Sequence, residues 1–210
     1  MKEEPTTFES GKLTLEGMMA RPQGEGERRA AVVCHPHPLY GGSMYNNVVD
    51  AAIDALHAAG FATLRFNFRG VGRSEGEFDE GRGEAEDAAA AVRFLTAQSG
   101  MRPDRALLAG YSFGAMAALR AGSDVAEVGT IIAIAPPIGM IDPSIIETTT
   151  KPIVLVSGDR DSYCPATQLG ALAARLGALA HLRIIAGADH FFGGREREIV
   201  AALSEELVNL

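Results

Sequence analysis

The stretch that decides the fold is Leu107-Leu108-Ala109-Gly110-Tyr111-Ser112-Phe113-Gly114-Ala115-Met116, with the pattern G-x-S-x-G at its centre. A short apolar run of strand character precedes the pattern, and strong helix formers follow it. A strand, a sharp turn and a helix form a nucleophile elbow, in which the serine stands at the tip of the turn. A side chain at Gly110 or Gly114 would collide with a neighbouring strand or helix. The pattern therefore predicts Ser112 as a nucleophile, and the alternative is a serine that only caps the helix.

Outward from this turn, apolar strand-like runs alternate with helical stretches from residue 30 to the end. The predicted strands are Ala30–Cys34, Ala62–Phe68, Arg105–Ala109, Thr130–Ala135, Ile153–Ser157 and Leu182–Ile185. The predicted helices are Ser43–Ala59, Gly83–Gln98, Phe113–Ala121, Ala166–Leu176 and Arg195–Val208. Most of the strand runs are apolar throughout, as is typical of parallel strands buried on both faces. The alternation predicts an α/β fold with a mostly parallel twisted sheet flanked by helices.

Two segments before this alternation, Thr6–Glu9 and Leu13–Ala20, predict an antiparallel hairpin at the edge of the sheet. The stretch from Pro136 to Thr150 contains no clear helix or strand and is too short for a separate lid domain. We therefore expect little or no lid and an open active face. The whole chain, residues 1–210, is expected to form a single α/β domain, because this length suits one core.

Composition limits the classes of function and partner. A formal net charge of −8, without a long basic stretch, argues against nucleic-acid binding. The two cysteines, Cys34 and Cys164, imply no disulfide framework and favour a reduced, cytoplasmic protein. The charged N-terminus leads into no apolar region, which argues against a signal peptide. No membrane span is expected, since the longest apolar stretch, Ile131–Ile141, is about half the required length. Nothing in the sequence specifies an oligomeric state.

A serine nucleophile needs a base to take its proton and an acid to orient that base. In an elbow of this kind the acid and then the base follow the serine along the chain. Only two histidines, His181 and His190, come after Ser112. His181 begins the last strand, at the end opposite to the one where parallel sheets bind ligands, whereas His190 follows that strand in a loop. His190 is therefore the predicted base, and the alternative is a solvated loop histidine.

The acid is expected in the loop after the preceding strand, where two aspartates compete. Asp159 comes directly after Gly158 and is placed to bond the amides of the turn. Asp161 lies further out and has more room to reach a histidine, so the spacing favours it over Asp159. Asp189 is adjacent to His190 in sequence, and its side chain is expected to diverge from the imidazole.

An oxyanion hole needs two backbone N–H donors aimed at the developing negative charge. One is expected from Phe113, directly after the serine. The other is expected from the loop His35-Pro36-His37-Pro38-Leu39-Tyr40-Gly41-Gly42. Because the prolines of this loop have no N–H, its first donor after the opening histidine is His37, with Leu39 and Tyr40 behind it.

Two other patterns bear on metals and cofactors. His35 and His37 form an H-x-H pair, but a third ligand with supporting spacing is missing. The segment Gly70–Gly76 approaches the dinucleotide-binding pattern G-x-G-x-x-G, but Glu75 stands where the third glycine is required. We therefore expect neither a metal nor a cofactor. Cys164 lacks a thiol-enzyme motif and is expected in the core or the pocket wall.

Together these residues resemble the α/β-hydrolase superfamily, and more closely its small lidless serine hydrolases with an H-P-H-P-L-Y-G-G loop and a G-x-S-F-G elbow. The matching motifs are His35–Gly42, Arg65–Ser74, Gly110–Gly114, Gly158–Pro165 and Gly187–Phe192. The resemblance implies an α/β-hydrolase fold, with Ser112 as nucleophile and His190 as base. Its acid loop often reads H-G-x-x-D-x-x-V-P, and the match to Ser157–Pro165 favours Asp161 over Asp159.

The chain departs from the family pattern at Ser157, at Cys164 and at Pro36, which replaces the glycine of the commoner H-G-x-x oxyanion loop. The resemblance implies a carboxylesterase-like or thioesterase-like serine hydrolase that cleaves an ester or related acyl bond of a small molecule through an acyl-enzyme on Ser112. The predicted substrate-binding residues are Tyr40, Tyr163 and Phe191, with Phe192 and Pro136–Met140 as further wall candidates. The alternatives on this fold are a small-amide peptidase, an acyltransferase, or a binding protein without turnover.

Overall fold

The computed structural model describes residues 1–24, 28–98, 100–141, 144 and 148–208. Its strands are β1 (Glu3–Ser10), β2 (Leu13–Ala20), β3 (Ala30–Cys34), β4 (Ala62–Phe66), β5 (Ala106–Tyr111), β6 (Val128–Ile134), β7 (Ile153–Gly158) and β8 (Ala180–Ile185). Its α-helices are α1 (Asn47–Ala58), α2 (Arg82–Thr96), α3 (Phe113–Asp124), α4 (Ala166–Leu176) and α5 (Glu196–Leu207). No helix of the described residues is long and apolar enough to cross a membrane.

The eight strands form one sheet in the order β1-β2-β4-β3-β5-β6-β7-β8. Strands β3 to β8 pair in parallel, whereas β2 pairs antiparallel with both β1 and β4. The predicted parallel sheet and the predicted hairpin at its edge are therefore confirmed. Every residue of β3, β4, β5 and β7 is buried, as expected for strands that helices cover on both faces.

The strand order reverses between β3 and β5, which are neighbours in the sheet. The chain leaves β3 for β4 on one side and leaves β5 for β6 on the other, so the two loops diverge and open a crevice. Right-handed connections place α1 on one face of the sheet and α2 and α3 on the other. Consistent with this, α1 packs against α5, and α2 packs against α3. The loops after β3, β5, β7 and β8 therefore meet at one edge of the sheet.

Two predicted boundaries move because side chains take over backbone hydrogen bonds. Helix α1 begins at Asn47, later than predicted, because the Asn46 side chain accepts an N–H of the first turn and caps the helix. Strand β4 ends at Phe66, earlier than predicted, because the N–H of Phe68 donates to the ring of His35 and not to a neighbouring strand.

The segment between β6 and β7 contains a short turn that the sequence did not predict. Residues Ile138–Met140 form a 3-10 turn, in which the Met140 N–H donates to the carbonyl of Pro137. The fixed φ of proline suits the start of such a turn, so the expectation of no helix in this segment is wrong here. Residues 142, 143 and 145–147, which the same prediction covers, lie outside the described residues.

Candidate active site

The turn between β5 and α3 has the conformation of a nucleophile elbow. Ser112 has a φ of +53°, a left-handed conformation that costs a side-chain-bearing residue roughly 1–3 kcal/mol. A Cβ at Gly110 would run into the carbonyl of Gly114, and a Cβ at Gly114 would run into the carbonyls that end β3. Both glycines are therefore required for α3 to start this close to the sheet, as the sequence predicted.

Three side chains form a continuous hydrogen-bonded chain at this turn. Ser112 Oγ lies 3.0 Å from His190 Nε2, and His190 Nδ1 lies 2.8 Å from Asp161 Oδ2. Asp161 is 4% exposed and His190 is 8% exposed, so water screens their interaction only weakly. The structure thus brings together the three residues predicted from chain order. The arrangement can move the serine proton to Nε2 while the carboxylate holds the imidazole.

The two competing aspartates have different partners. The second oxygen of Asp161 accepts the N–H groups of Tyr163 and Cys164, both at 2.8 Å, which fixes the carboxylate toward the imidazole. Asp159 accepts the N–H of Gly187 at 2.7 Å and stays in the turn, where the spacing had placed it. His181, the other candidate base, lies 2.8 Å from Glu206 at the other end of β8.

The loops after β7 and β8 are joined by their backbones. The Arg160 N–H donates to the carbonyl of Ala188 at 3.0 Å, and a Cβ at Gly158 would strike the same carbonyl. Because the acid is on one loop and the base on the other, these contacts fix their separation. Asp189 turns away from the imidazole, as predicted, and accepts the N–H of Phe191 at 3.0 Å.

Tyr111 connects the serine turn to the histidine loop. Its hydroxyl donates to the carbonyl of His190 at 2.8 Å, and its ring centroid lies 5.6 Å from that of the imidazole. Burial, and after it the nearby charge of Asp161, raises the pKa of Tyr111, so the phenol remains protonated and can donate. Tyr111, the residue before the serine, thus positions His190, which contacts the serine; nothing in the sequence predicted this role.

The predicted oxyanion donors differ in whether their N–H groups already donate a hydrogen bond within the protein. Leu39 donates to His37 Nδ1, and Tyr40 donates to the His37 carbonyl. Within the described residues, no hydrogen bond uses the N–H of Phe113 or of His37. The ring centroids of Phe113 and His37 are 4.8 Å apart, so the two segments that carry these donors are in contact. Phe113 also opens α3, where the helix dipole favours a negative charge.

His35 links the end of β3 to the end of β4. Its Nε2 accepts the N–H of Phe68 at 3.1 Å, and its Nδ1 lies 2.6 Å from the Pro36 carbonyl, to which it donates as the neutral tautomer. Both ring nitrogens are therefore engaged, which argues against the H-x-H metal pair. No group of three or more potential metal ligands occurs among the described residues. Burial lowers the pKa of His35 to about 4.

The buried His35 predicts a pH-dependent stability. Between about pH 6.5 and pH 4 the unfolded chain binds a proton that folded His35 does not, so the free energy of unfolding falls as the pH falls. A shift of this size corresponds to roughly 3 kcal/mol. Urea unfolding at pH 7 and pH 4.5 should show a smaller loss in His35→Gln, whose amide oxygen can still accept the Phe68 N–H. Equal losses in both proteins would contradict this assignment.

A cavity of about 410 Å³ lies between α3, the β3 loop and the segment that follows β6. Its lining residues are His37, Phe78, Glu80, Gly81, Phe113, Met116, Ala117, Leu119, Arg120, Met140 and Ile141. Phe113 and His37, which carry the two free N–H groups, form its end near Ser112. The volume is within the range of small-molecule sites.

The structure places the predicted substrate-binding residues at the rim of the site, outside the lining of this cavity. Tyr163 and Phe191 flank the imidazole of His190, with ring centroids 4.7 and 5.6 Å from it. Tyr40 packs on His37 at 4.5 Å. All three residues are more than half exposed: Tyr163 to 59%, Phe191 to 64% and Tyr40 to 86%.

Two other wall candidates lie in the core. Phe192 is fully buried among core residues, so its prediction as a pocket wall is wrong. The side chains of the two adjacent residues point in different directions: that of Phe192 into the core and that of Phe191 into solvent. Cys164 is also fully buried, and burial raises the pKa of its thiol to about 12, so it is inert as a nucleophile. Met140, from the predicted Pro136–Met140 segment, does line the cavity.

Comparison with known proteins supports the same fold. A serine hydrolase homologue from Coxiella burnetii is 36% identical and superposes with a TM-score of 0.89, over 99% of this chain and 98% of the other. A serine hydrolase without a lid from Xanthomonas campestris is 33% identical with a TM-score of 0.87, over 100% and 95% of the two chains. An uncharacterized protein from Rickettsia prowazekii is 39% identical over 86% of this chain and 79% of its own.

The α/β-hydrolase fold with little or no lid, predicted from the motifs, is confirmed by these structures. The family model described as X-Pro dipeptidyl-peptidase (S15 family) matches residues 12–150, from the edge hairpin through the serine turn to the segment before β7. The match is to two thirds of the chain and includes Ser112, whereas Asp161 and His190 lie beyond it. This protein therefore belongs to the S15 family and has the fold of the serine hydrolases.

Proposed function

We propose that this protein is a serine hydrolase that cleaves a small ester, or a related activated acyl bond, through an acyl-enzyme on Ser112. The observation that carries the proposal is the hydrogen-bonded chain from Ser112 through His190 to Asp161, together with a cavity whose lining includes Phe113, the residue after the serine. A structural serine would need none of these partners. Fold alone does not define an activity, whereas the geometry of these three side chains matches a specific reaction.

In the first half of the reaction, Ser112 Oγ attacks the carbonyl carbon while His190 Nε2 takes its proton. The carbonyl oxygen becomes an oxyanion, which the N–H groups of Phe113 and His37 stabilise at the start of α3. Asp161 stabilises the imidazolium that forms. When the tetrahedral intermediate collapses, the bond to the leaving group breaks and Nε2 returns the proton to the departing oxygen.

In the second half, water enters from the open face and His190 Nε2 takes one of its protons. The hydroxide oxygen attacks the acyl carbon, a second oxyanion forms at the same N–H groups, and the bond to Ser112 Oγ breaks. Nε2 then gives the proton to Ser112, which restores the free enzyme and releases the carboxylic acid. No step requires a metal or a cofactor.

The positions of the apolar groups suggest which part of the substrate lies where. The leaving group receives its proton from His190 and therefore departs on that side, past the exposed rings of Tyr163 and Phe191. The acyl group extends from the oxyanion donors into the cavity, which begins at Phe113 and His37. We assign the cavity to the acyl group and the two exposed rings to the leaving group.

A peptidase acting on a small amide is the second candidate, and the S15 family match favours it. The same three side chains can cleave an amide if His190 protonates the departing nitrogen. The esterase assignment is preferred because Tyr163 and Phe191, which flank His190 on the leaving-group side, are both more than half exposed and so would not enclose a peptide.

A paired assay tests the proposal. We expect the protein to hydrolyse p-nitrophenyl hexanoate at least about 100-fold faster, in kcat/KM, than the p-nitroanilide of an X-Pro dipeptide, since an ester has the better leaving group. A fluorophosphonate should label Ser112, as judged by mass spectrometry of the peptide. The reverse preference with labelled Ser112 would support the peptidase. Failure of folded protein to label or to cleave either substrate would reject both.

A further inference from the structure

The acyl cavity follows one face of α3. Phe113, Met116, Ala117 and Arg120 all line it, and their spacing of three or four residues places them on neighbouring turns of the same helix face. From Phe113 to Arg120 the helix advances about 10 Å, at about 1.5 Å per residue. The cavity therefore leads away from the serine along the helix, with Arg120 near its far end.

The middle of the cavity is apolar. The ring of Phe78 and the side chain of Met116 line the cavity on the side of the serine. Met140 and Ile141 line it from the segment after β6. The ring of Phe78 contacts both His37, at 5.1 Å, and Phe113, at 5.7 Å, so this wall is joined to the oxyanion loops. A group that passes between these side chains must be largely hydrocarbon, because a polar atom there would lose its hydrogen bonds to water.

The far end of the cavity carries a cation. Arg120 is exposed, and no hydrogen bond or ion pair to it occurs among the described residues. The second charged lining residue, Glu80, lies beside Arg82, whose pKa is raised first by its hydrogen bond to Asp79 and further by the charge of Glu80. The carboxylate of Glu80 thus has a nearby cation, whereas the guanidinium of Arg120 can donate hydrogen bonds to an anionic group.

We infer that the cavity takes an acyl chain that ends in a carboxylate bound by Arg120. The chain would have roughly six to eight carbon atoms, a length that matches the rise of the helix from Phe113 to Arg120. The natural substrates would then be half-esters of dicarboxylic acids, in which one carboxyl is esterified and the other is free. This inference rests on the proposed function, because it assigns the acyl group of that reaction. It adds a recognition residue that the catalytic chain does not contain.

The test compares two esters that differ only at the far end of the acyl chain. The wild type and Arg120→Gln are assayed with p-nitrophenyl hexanoate and with the mono-p-nitrophenyl ester of adipic acid. We expect the ratio of kcat/KM for the half-ester to that for the hexanoate to fall about tenfold in Arg120→Gln, since Arg120 is exposed and water weakens the pair. Arg120→Lys should keep most of the ratio, and added salt should lower it in the wild type.

The matched control is Arg197→Gln, which removes an exposed arginine from α5 on the opposite face of the sheet. The ratio of kcat/KM values in this variant should equal that of the wild type. A fall in the ratio there would indicate a general effect of net charge. An unchanged ratio in Arg120→Gln, with normal hydrolysis of the hexanoate, would overturn the inference and leave the esterase proposal intact. Failure of the wild type to cleave either ester would overturn both.

Discussion

Replacing Ser112 with alanine is expected to lower kcat/KM for p-nitrophenyl hexanoate by a factor on the order of 10⁵ to 10⁶, the loss seen when a triad loses its nucleophile. Without Oγ no acyl-enzyme forms, and only substrate binding and the oxyanion donors remain. The residual rate should stay above that of the uncatalysed reaction, because the N–H groups of Phe113 and His37 are retained. The measurement is p-nitrophenolate release at equal concentrations of folded protein.

The control for this variant is Ser123→Ala, which removes a second serine from the same helix. Its hydroxyl donates to the carbonyl of Leu119 and has no contact with His190. We expect wild-type activity in that protein and continued labelling by a fluorophosphonate at Ser112. Turnover by Ser112→Ala equal to that of the wild type would show that another group is the nucleophile.

Replacing Asp161 with asparagine is expected to lower kcat by a factor on the order of 10⁴. An asparagine can place its NH₂ against His190 Nδ1, which forces the ring proton onto Nε2 and leaves no lone pair to accept the proton of Ser112. The neutral amide also fails to stabilise the imidazolium. The other oxygen of Asp161 holds the N–H groups of Tyr163 and Cys164, and the amide oxygen can keep these bonds and the loop.

Asp159→Asn is the paired control, because it makes the same chemical change two residues away. Among the described residues its side chain accepts only the Gly187 N–H, which an amide oxygen can also accept, so kcat should change less than about fivefold. The two variants together decide the competition that the sequence left open. A large loss in Asp159→Asn with an active Asp161→Asn would reverse the assignment.

The sequence predicted the sheet and the meeting of the three side chains because both depend on strong local signals. Apolar runs bounded by helical stretches define parallel strands, and parallel strands bring their following loops to one edge. Chain order then reduced five histidines to His181 and His190, and the direction of β8 separated them. The roles of Ser112, His190 and Asp161 remain predictions that the variants above test.

The cavity could not be predicted because no motif describes it. Phe78 and Glu80 come from the loop before α2, Met116 and Arg120 from α3, and Met140 from the turn after β6, so only packing brings them together. One signal was available in the spacing. Met116 and Arg120 follow Ser112 by four and eight residues, which places all three along one side of the helix that the elbow begins. Tyr40, Tyr163 and Phe191 were predicted as substrate-binding residues because they lie next to the catalytic motifs in the sequence.

The position of the base in the loop after the last strand has a consequence for how activity is lost. Strand β8 is the edge strand at the end of the sheet opposite to β1 and, in the described part of the chain, pairs only with β7. Outer strands open locally at a lower free energy than strands in the middle of a sheet. Opening of β8 would carry His190 away from Ser112 while β3, β5 and β6 stayed folded. Hydrolysis would then stop before the rest of the molecule unfolds. Catalytic activity would therefore report the local opening of β8 earlier than a probe of global unfolding.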